Sequence, residues 1–513
     1  MKNKLLIIGF DALSWEYMDF LIARGNLPNF ESLRKDSSYG PLGSVYPPGT
    51  YIAWPTFMTG VNPGKSSLFY PILFKEKFSY SGLHFESSKI DFPTIYEILS
   101  EKFSVGVVNH PAAYPPIEVN GFFISKPPSP KSSFSFPNSI KAEILMKFPE
   151  FGKPLKRNKN PKITLKDAMA QLSLNYEVSK YCFTKYDMDI KSTIFMEVDS
   201  FSHWYWDRPE LIDKIYQHCD EILGNLILDF PSHNILVLSD HGFGRCLSIF
   251  HPNVWLERIG LLKWKKGNSN LFNTSLFSKI SSKISKISSK ISKTKPNVPV
   301  FSKLSESIDW PNTKVYFRED MGFRFNLLGR EKHGIITKSE ASKIFKLISE
   351  KIVEVKDSNF FDNIPFKGLI KNKDVFFGPN IAHSPDFYLD VEDNYHRGFS
   401  CDNNNRIFEP NLDQPGKHSM NGIYFLKGDE INVGMYKKLN IIDLMPNLFY
   451  LMNVKSRKYF DGQFHKDLYK NSLLSKRKFT ESDEDFSFDR EEQKITDKDR
   501  EDITEFWKDV GYL

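Results

Sequence analysis

Four short apolar runs each stop abruptly at a polar residue, and this pattern limits the possible folds more than any other feature of the chain. They are Leu5 to Phe10 before Asp11, Val105 to Val108 before Asn109, Thr193 to Val198 before Asp199, and Ile235 to Leu238 before Ser239-Asp240-His241. Runs this short, bounded by polar residues, read as strands buried on both faces. Between them lie stretches whose apolar residues recur at helical spacing, Ala168 to Tyr186 and Pro209 to Phe230. Strands alternating with helices predict an α/β chain with a mostly parallel central sheet flanked by helices. Residues just past the carboxyl ends of such strands share one crevice, so Asp11, Asp199, Asp240 and His241 are expected to converge despite their separation in sequence.

Composition narrows the class. The 513 residues are 40% hydrophobic and 26% charged, which excludes collagen-like and mainly disordered chains. A net charge of +6 over this length is too small for a nucleic-acid binder, and no nucleic-acid partner is expected. Cys182, Cys219, Cys246 and Cys401 are scattered without a paired spacing and read as reduced thiols. The N-terminal apolar run is too short for a signal peptide, and nothing approaches the ~18 apolar residues of a membrane span. The expected location is cytoplasmic, with peripheral contact at the inner membrane surface as an option.

That option comes from a Lys/Ile/Ser run. Phe277, Ile280, Ile284, Ile287 and Ile291 are spaced 3, 4, 3, 4, which predicts a basic amphipathic helix over 277–293. It reads either as a surface for anionic membrane or an acidic partner, or as an insertion whose Ile stripe docks on its own domain. Residues 1–478 are read as one domain with insertions at about 127–162 and 267–299 that would form a cap. A helix is expected near Ile140 to Lys147 in the first insertion, and another from the capping box Thr337-Lys-Ser-Glu340 to about Val355. From Glu481 to Asp509 there are 13 acidic and 5 basic residues, so 479–513 is an acidic tail, ending in a helix.

Several residues carry candidate chemistry. Asp199 and His203 are four apart, so on one helical turn both face the same way, as two ligands of one ion would; alternatively Asp199 caps the helix. Asp240-His241-Gly242-Phe-Gly244 reaches one ion only if the backbone turns sharply, a freedom the glycines would supply, and otherwise reads as a plain turn. Asp11 is a further ligand or a helix cap, and His418 a last nitrogen ligand or a loop histidine. Together these six exceed one tetrahedral site and suit two metal ions. In Pro47-Pro48-Gly49-Thr50, Thr50 would open a helix with its hydroxyl at the positive end, whereas Thr56 and Thr59 lie deeper and would bond back to carbonyls. Gly60-Val-Asn-Pro-Gly64-Lys65-Ser66 lacks the glycine spacing of a phosphate-binding loop.

In order, Gly9-Phe-Asp11-Ala, Pro47-Pro-x-Thr50 with Ala53-Trp54, Thr59-Gly-x-Asn62-Pro-Gly-Lys65, Asp199-x3-His203, Ser239-Asp240-His241-Gly-Phe-Gly244 and His418 resemble the alkaline phosphatase superfamily. The resemblance is to its phosphohydrolase/phosphomutase branch, near the type I phosphodiesterases and nucleotide pyrophosphatases. It implies an alkaline-phosphatase-like core and a phosphomonoesterase or phosphodiesterase that uses Thr50 as nucleophile on a small phosphorylated substrate. It also implies two divalent metal ions: zinc, with manganese or iron as alternatives. One would be held by Asp11, Thr50, Asp240 and His241, the other by Asp199, His203 and His418. Lys65, Asn109 and Arg330 are the candidate substrate-binding residues. The same resemblance admits a phosphomutase or a membrane head-group phosphotransferase, and from another class a metal-dependent binding protein without turnover.

Overall fold

Leu5–Phe10 forms β1, with every residue buried. Its alternate residues Leu6, Ile8 and Phe10 enter one core with the helices of that face. On the opposite face there is no room for a side chain at Gly9: a Cβ there would lie 2.6 Å from the Trp54 ring. The computed structural model describes residues 4–69, 72–74, 82–84, 90–126, 133–265, 306–318, 322–357, 359, 363–392, 406–437 and 439–482. The 277–293 run and the acidic tail beyond residue 482 lie outside the described residues. Among the described residues no helix is long and apolar enough to cross a membrane.

The chain divides into two compact units. The first contains residues 1–71, 84–245 and 413–512. Its nine-stranded sheet is made, besides β1, of β2 (Ser38–Gly43), β3 (Val105–His110), β4 (Gly121–Ser125), β5 (Ser135–Phe136), β6 (Ile190–Phe195), β7 (Asn234–Leu238), β8 (Asn421–Lys427) and β9 (Gly434–Met435). The strand order is β9-β2-β8-β7-β1-β6-β3-β4-β5. The five strands from β7 to β4 run parallel, while β8 is antiparallel to both of its neighbours and β5 is antiparallel to β4. The mostly parallel centre expected from the sequence is therefore present, with antiparallel pairing toward both edges.

Helices α1 (Trp15–Ala23), α2 (Thr50–Thr59), α3 (Pro161–Tyr186), α4 (Glu197–Tyr205), α5 (Pro209–Asp229) and α6 (Leu444–Leu451) belong to this unit. α3 begins earlier than its apolar periodicity suggests, because Asn160 caps it through the Lys162 amide and Pro161 occupies its first position. The run Thr193 to Val198 is not one strand. β6 ends at Phe195, and Val198 lies in the first turn of α4. A buried strand end and a buried first helical turn are both apolar, so hydrophobicity alone does not separate them. The expected helix near residue 140 spans Ser139–Lys147. Ile441–Asp443 forms a short 3-10 turn that leads into α6.

The second unit, residues 72–83 and 246–412 with Leu513, has its own core around a four-stranded antiparallel sheet. Ile344, Ile348 and Ile352 of the helix Lys338–Ile352 are buried in that core. The Thr337/Glu340 capping box forms as the sequence predicts.

His110, the last residue of β3, is buried in the first unit with no hydrogen-bond partner on either ring nitrogen. Its ring lies edge-on to Trp54 and Tyr96, each 5.6 Å away. Burial pushes its pKa from 6.5 down to about 3. The unfolded chain therefore takes up a proton between pH 6.5 and about 3 that the native state refuses, and stability falls as pH drops through that window. His110→Phe should flatten the pH profile of the unfolding free energy, measured by denaturant titration below pH 6.5, by about 1 kcal/mol per pH unit. An unchanged slope would mean that this imidazole is not held neutral.

Candidate active site

β7, β1 and β6 are adjacent, and each delivers a carboxylate just past its carboxyl end. Asp11 directly follows β1, its amide donating to Phe195 O of β6 at 2.8 Å. Asp240 lies two residues beyond β7, and Asp199 stands in the first turn of α4. All three are fully or almost fully buried. His241 follows Asp240, while His203 lies one turn after Asp199, its Nε2 3.5 Å from Asp199 Oδ1. His418 arrives on a two-stranded antiparallel ribbon, Gly416–Ser419 paired with Gly242–Arg245, in which Phe243 stands opposite His418.

Gly242 serves this ribbon by its smallness. Its φ is not in the left-handed region, and a Cβ would meet Asn421 O at 2.2 Å. Close packing of the ribbon on the chain, not a sharp left-handed turn, is what requires glycine there.

Thr50 is the first residue of α2, after Gly49. Its hydroxyl donates to Asp11 Oδ1 at 3.3 Å and lies 3.2 Å from His241 Nε2. Thr56 and Thr59 instead bond back to Ile52 O and Pro55 O, as the sequence predicts. The seven expected centre residues thus form one connected cluster. His241 Nε2 is 3.3 Å from Asp11 Oδ1 and 3.5 Å from Asp240 Oδ2. His418 Nε2 is 3.0 Å from Asp199 Oδ1 and 2.9 Å from His203 Nε2, and its ring stacks on His241 at 4.0 Å.

The three imidazoles share an orientation that the sequence did not reveal. Nδ1 of His203 faces Gly416 O at 3.3 Å, that of His241 faces Gly242 O at 3.0 Å, and that of His418 faces Pro48 O at 3.3 Å. A carbonyl only accepts, so each Nδ1 carries the hydrogen and each Nε2 turns a lone pair inward. Burial holds His203, at about 4, and His241 well below the ordinary imidazole value, so both are neutral near pH 7.

This donor set fits a divalent cation. Two Nε2 lone pairs meet at 2.9 Å, and neither oxygen of the buried Asp240 carboxylate has a hydrogen-bond partner. Burial, with the Asp199 charge beside them, pushes Asp11 and Asp240 well above the usual carboxylate range. A cation reverses that logic by favouring the ionised form. Asp11, Asp240 and His241 each offer a ligand atom within 4.8 Å of the others, and so do Asp199, His241 and His418.

The three expected substrate-binding residues are placed differently. Lys65 lies within the Asn62-capped turn Pro63–Ser66, and its ammonium binds Asp461 and, at 2.9 Å, Tyr459 O. Asn109 is near the carboxyl end of β3 with a left-handed φ of 62°. Its Nδ2 donates to Ile194 O at 2.7 Å, and its buried Oδ1 has no hydrogen-bond partner. Arg330 belongs to the second unit, where it pairs with Asp386 and Glu331.

The α/β core is that of a phosphoric ester hydrolase of the alkaline phosphatase superfamily. The sequence model of the type I phosphodiesterase / nucleotide pyrophosphatase family matches residues 5–396, and the chain belongs to that family. No curated protein matches it in sequence. Among solved structures it is similar to phosphonoacetate hydrolase from Sinorhizobium meliloti 1021 in complex with phosphonoformate, at 13% identity and TM-score 0.54, covering 88% of this chain and 95% of that one. It is also similar to the wild-type alkaline phosphatase PafA, at 10% identity and TM-score 0.55, covering 92% and 99%. A third is an inactive threonine-to-alanine variant of murine ectonucleotide pyrophosphatase / phosphodiesterase 5 in complex with AMP, at 12% identity and TM-score 0.50, covering 91% and 100%. At these identities the likeness shows the fold.

Proposed function

We propose that the chain hydrolyses phosphoric esters of small molecules with Thr50 as nucleophile and two divalent metal ions. The observation that carries this reading is the Thr50 hydroxyl against Asp11 Oδ1 and His241 Nε2, beside an Asp240 carboxylate buried without a hydrogen bond. Asp11, Thr50, Asp240 and His241 would hold one ion, and Asp199, His203 and His418 the other. Zinc suits these nitrogen and oxygen donors, as do manganese and iron. The ions would supply the positive charge that acidifies a hydroxyl and offsets charge on the phosphoryl and leaving oxygens.

The chain's own groups do the rest. Thr50 Oγ1 is held 3.3 Å from Asp11 Oδ1 and 3.2 Å from His241 Nε2, beside the residues that would bind the ion, and its proton leaves on the departing oxygen. Oγ1 bonds to phosphorus as the leaving oxygen departs with the electrons of the broken P–O bond. Water then cleaves the phosphothreonine, returning a proton to Oγ1 and releasing phosphate or a phosphomonoester. The three backbone carbonyls keep every Nε2 turned inward throughout, so the site is preorganised and imidazole reorientation adds little to the barrier. The threonine-to-alanine variant of the murine relative, described as inactive, is consistent with this role.

The test is elemental analysis of the purified protein together with rates on p-nitrophenyl phosphate and bis-p-nitrophenyl phosphate. Near two ions per chain and turnover lost on chelation is the expected result, and the preferred ester assigns the subclass. A metal-free protein with full activity would defeat the proposal.

A further inference from the structure

Asp11 presents its two oxygens to different partners. Oδ1 faces Thr50 Oγ1 and His241 Nε2, each at 3.3 Å, whereas Oδ2 accepts the indole N–H of Trp54 at 3.0 Å. Indole nitrogen is a donor only, so this partner cannot reverse its role. We propose that Trp54 is a positioning residue: its N–H occupies Oδ2 and leaves Asp11 to bind an ion through Oδ1 alone. The inference rests on the metal-dependent reading above.

Three features fix the indole. Trp54 is four residues after Thr50 on α2, so one helix carries both the nucleophile and the clamp on its neighbouring ligand. The side chain is fully buried, with its ring edge-on to Phe57 at 5.9 Å and His110 at 5.6 Å. Its far edge fills the space left by the missing side chain of Gly9, where a Cβ would approach Cη2 to 2.6 Å and Ile194 Cγ1 to 3.0 Å. Gly9 and Asp11 are two residues apart, so the same stretch of chain supplies the carboxylate and the room for its partner. A core tryptophan needs burial and some partner for its N–H. Here that partner is a carboxylate of the site, and a glycine is placed to admit the ring.

Trp54→Phe removes the donor and keeps an aromatic ring in place. The metal-free wild type and variant, titrated with Co2+ alone, should differ at one ion only: affinity for that ion falls 10–100-fold, the loss typical of removing a ligand's hydrogen-bond partner. The absorption band of that Co2+ should shift, while the second ion binds as before. Gly9→Ala, which displaces the indole from the opposite side, should produce the same selective loss, and serves if Trp54→Phe does not fold. Unchanged affinities and spectrum in either folded variant overturn the inference and leave the metal reading standing. Equal weakening of both ions with a lowered melting temperature assigns Trp54 to the core and also overturns it. A wild type that takes up no Co2+ overturns both.

Discussion

Thr50→Ala should lower turnover of the better chromogenic ester by roughly 10^3-fold or more, the scale expected when a nucleophile is removed and the rest of the site is kept. The reason is local. Oγ1 is the hydroxyl in contact with both Asp11 and His241, while Thr56 and Thr59 have their hydroxyls committed to helix carbonyls and cannot replace it. The substitution removes a small side chain at the start of α2 and leaves the helix hydrogen bonds from Ile52 and Ala53 to Gly49 O intact. Melting temperature and substrate-analogue binding should therefore stay near wild type, and Thr50→Ser should recover part of the rate. Retention of more than about a tenth of the rate in Thr50→Ala would take the residue out of the reaction, since that is only ~1.4 kcal/mol of barrier.

Asp240→Asn should separate stability from function. In the metal-free protein Asp240 is a fully buried carboxyl whose oxygens make no hydrogen bond, and burial beside Asp11 and Asp199 raises its pKa well above 3.8. A raised native pKa means that stability declines as pH rises above the unfolded value, because the unfolded chain ionises there while the native carboxyl still holds its proton. An amide has no such penalty at neutral pH. Metal-free Asp240→Asn should therefore melt at or above metal-free wild type, by about 1 °C for each ~1 kcal/mol of relief in a chain of this size. The metal-loaded comparison should reverse: wild type gains a large increment on loading, and the variant gains little and loses at least ~10^2-fold in turnover. A metal-free variant that melts well below wild type would show that the carboxyl has a structural partner. A variant that still binds two ions at wild-type affinity would remove Asp240 from the ligand set.

Much of the fold can be read along the chain because the information is local. Asp11 after Gly9-Phe10 marks a strand's end, and Thr337 with Glu340 forms its own cap. Where two structures share one local pattern the reading fails, as at Val198, which is buried equally well in a strand or in the first turn of α4. Lys65 pairs with Asp461, nearly four hundred residues away, a partner that no local pattern announces.

The sequence by itself determined the order of strands and helices, the residue types of the cluster and their places just beyond strand ends, since periodicity and turn chemistry depend on near neighbours. Tertiary structure alone decided that β7, β1 and β6 lie side by side and that a ribbon from residue 416 brings His418 onto His241. It alone turned each Nε2 inward through a backbone carbonyl, and gave Asp11 an indole for one of its oxygens. These depend on contacts between residues far apart in the chain, and a carbonyl oxygen, which every residue possesses, leaves no mark on the sequence.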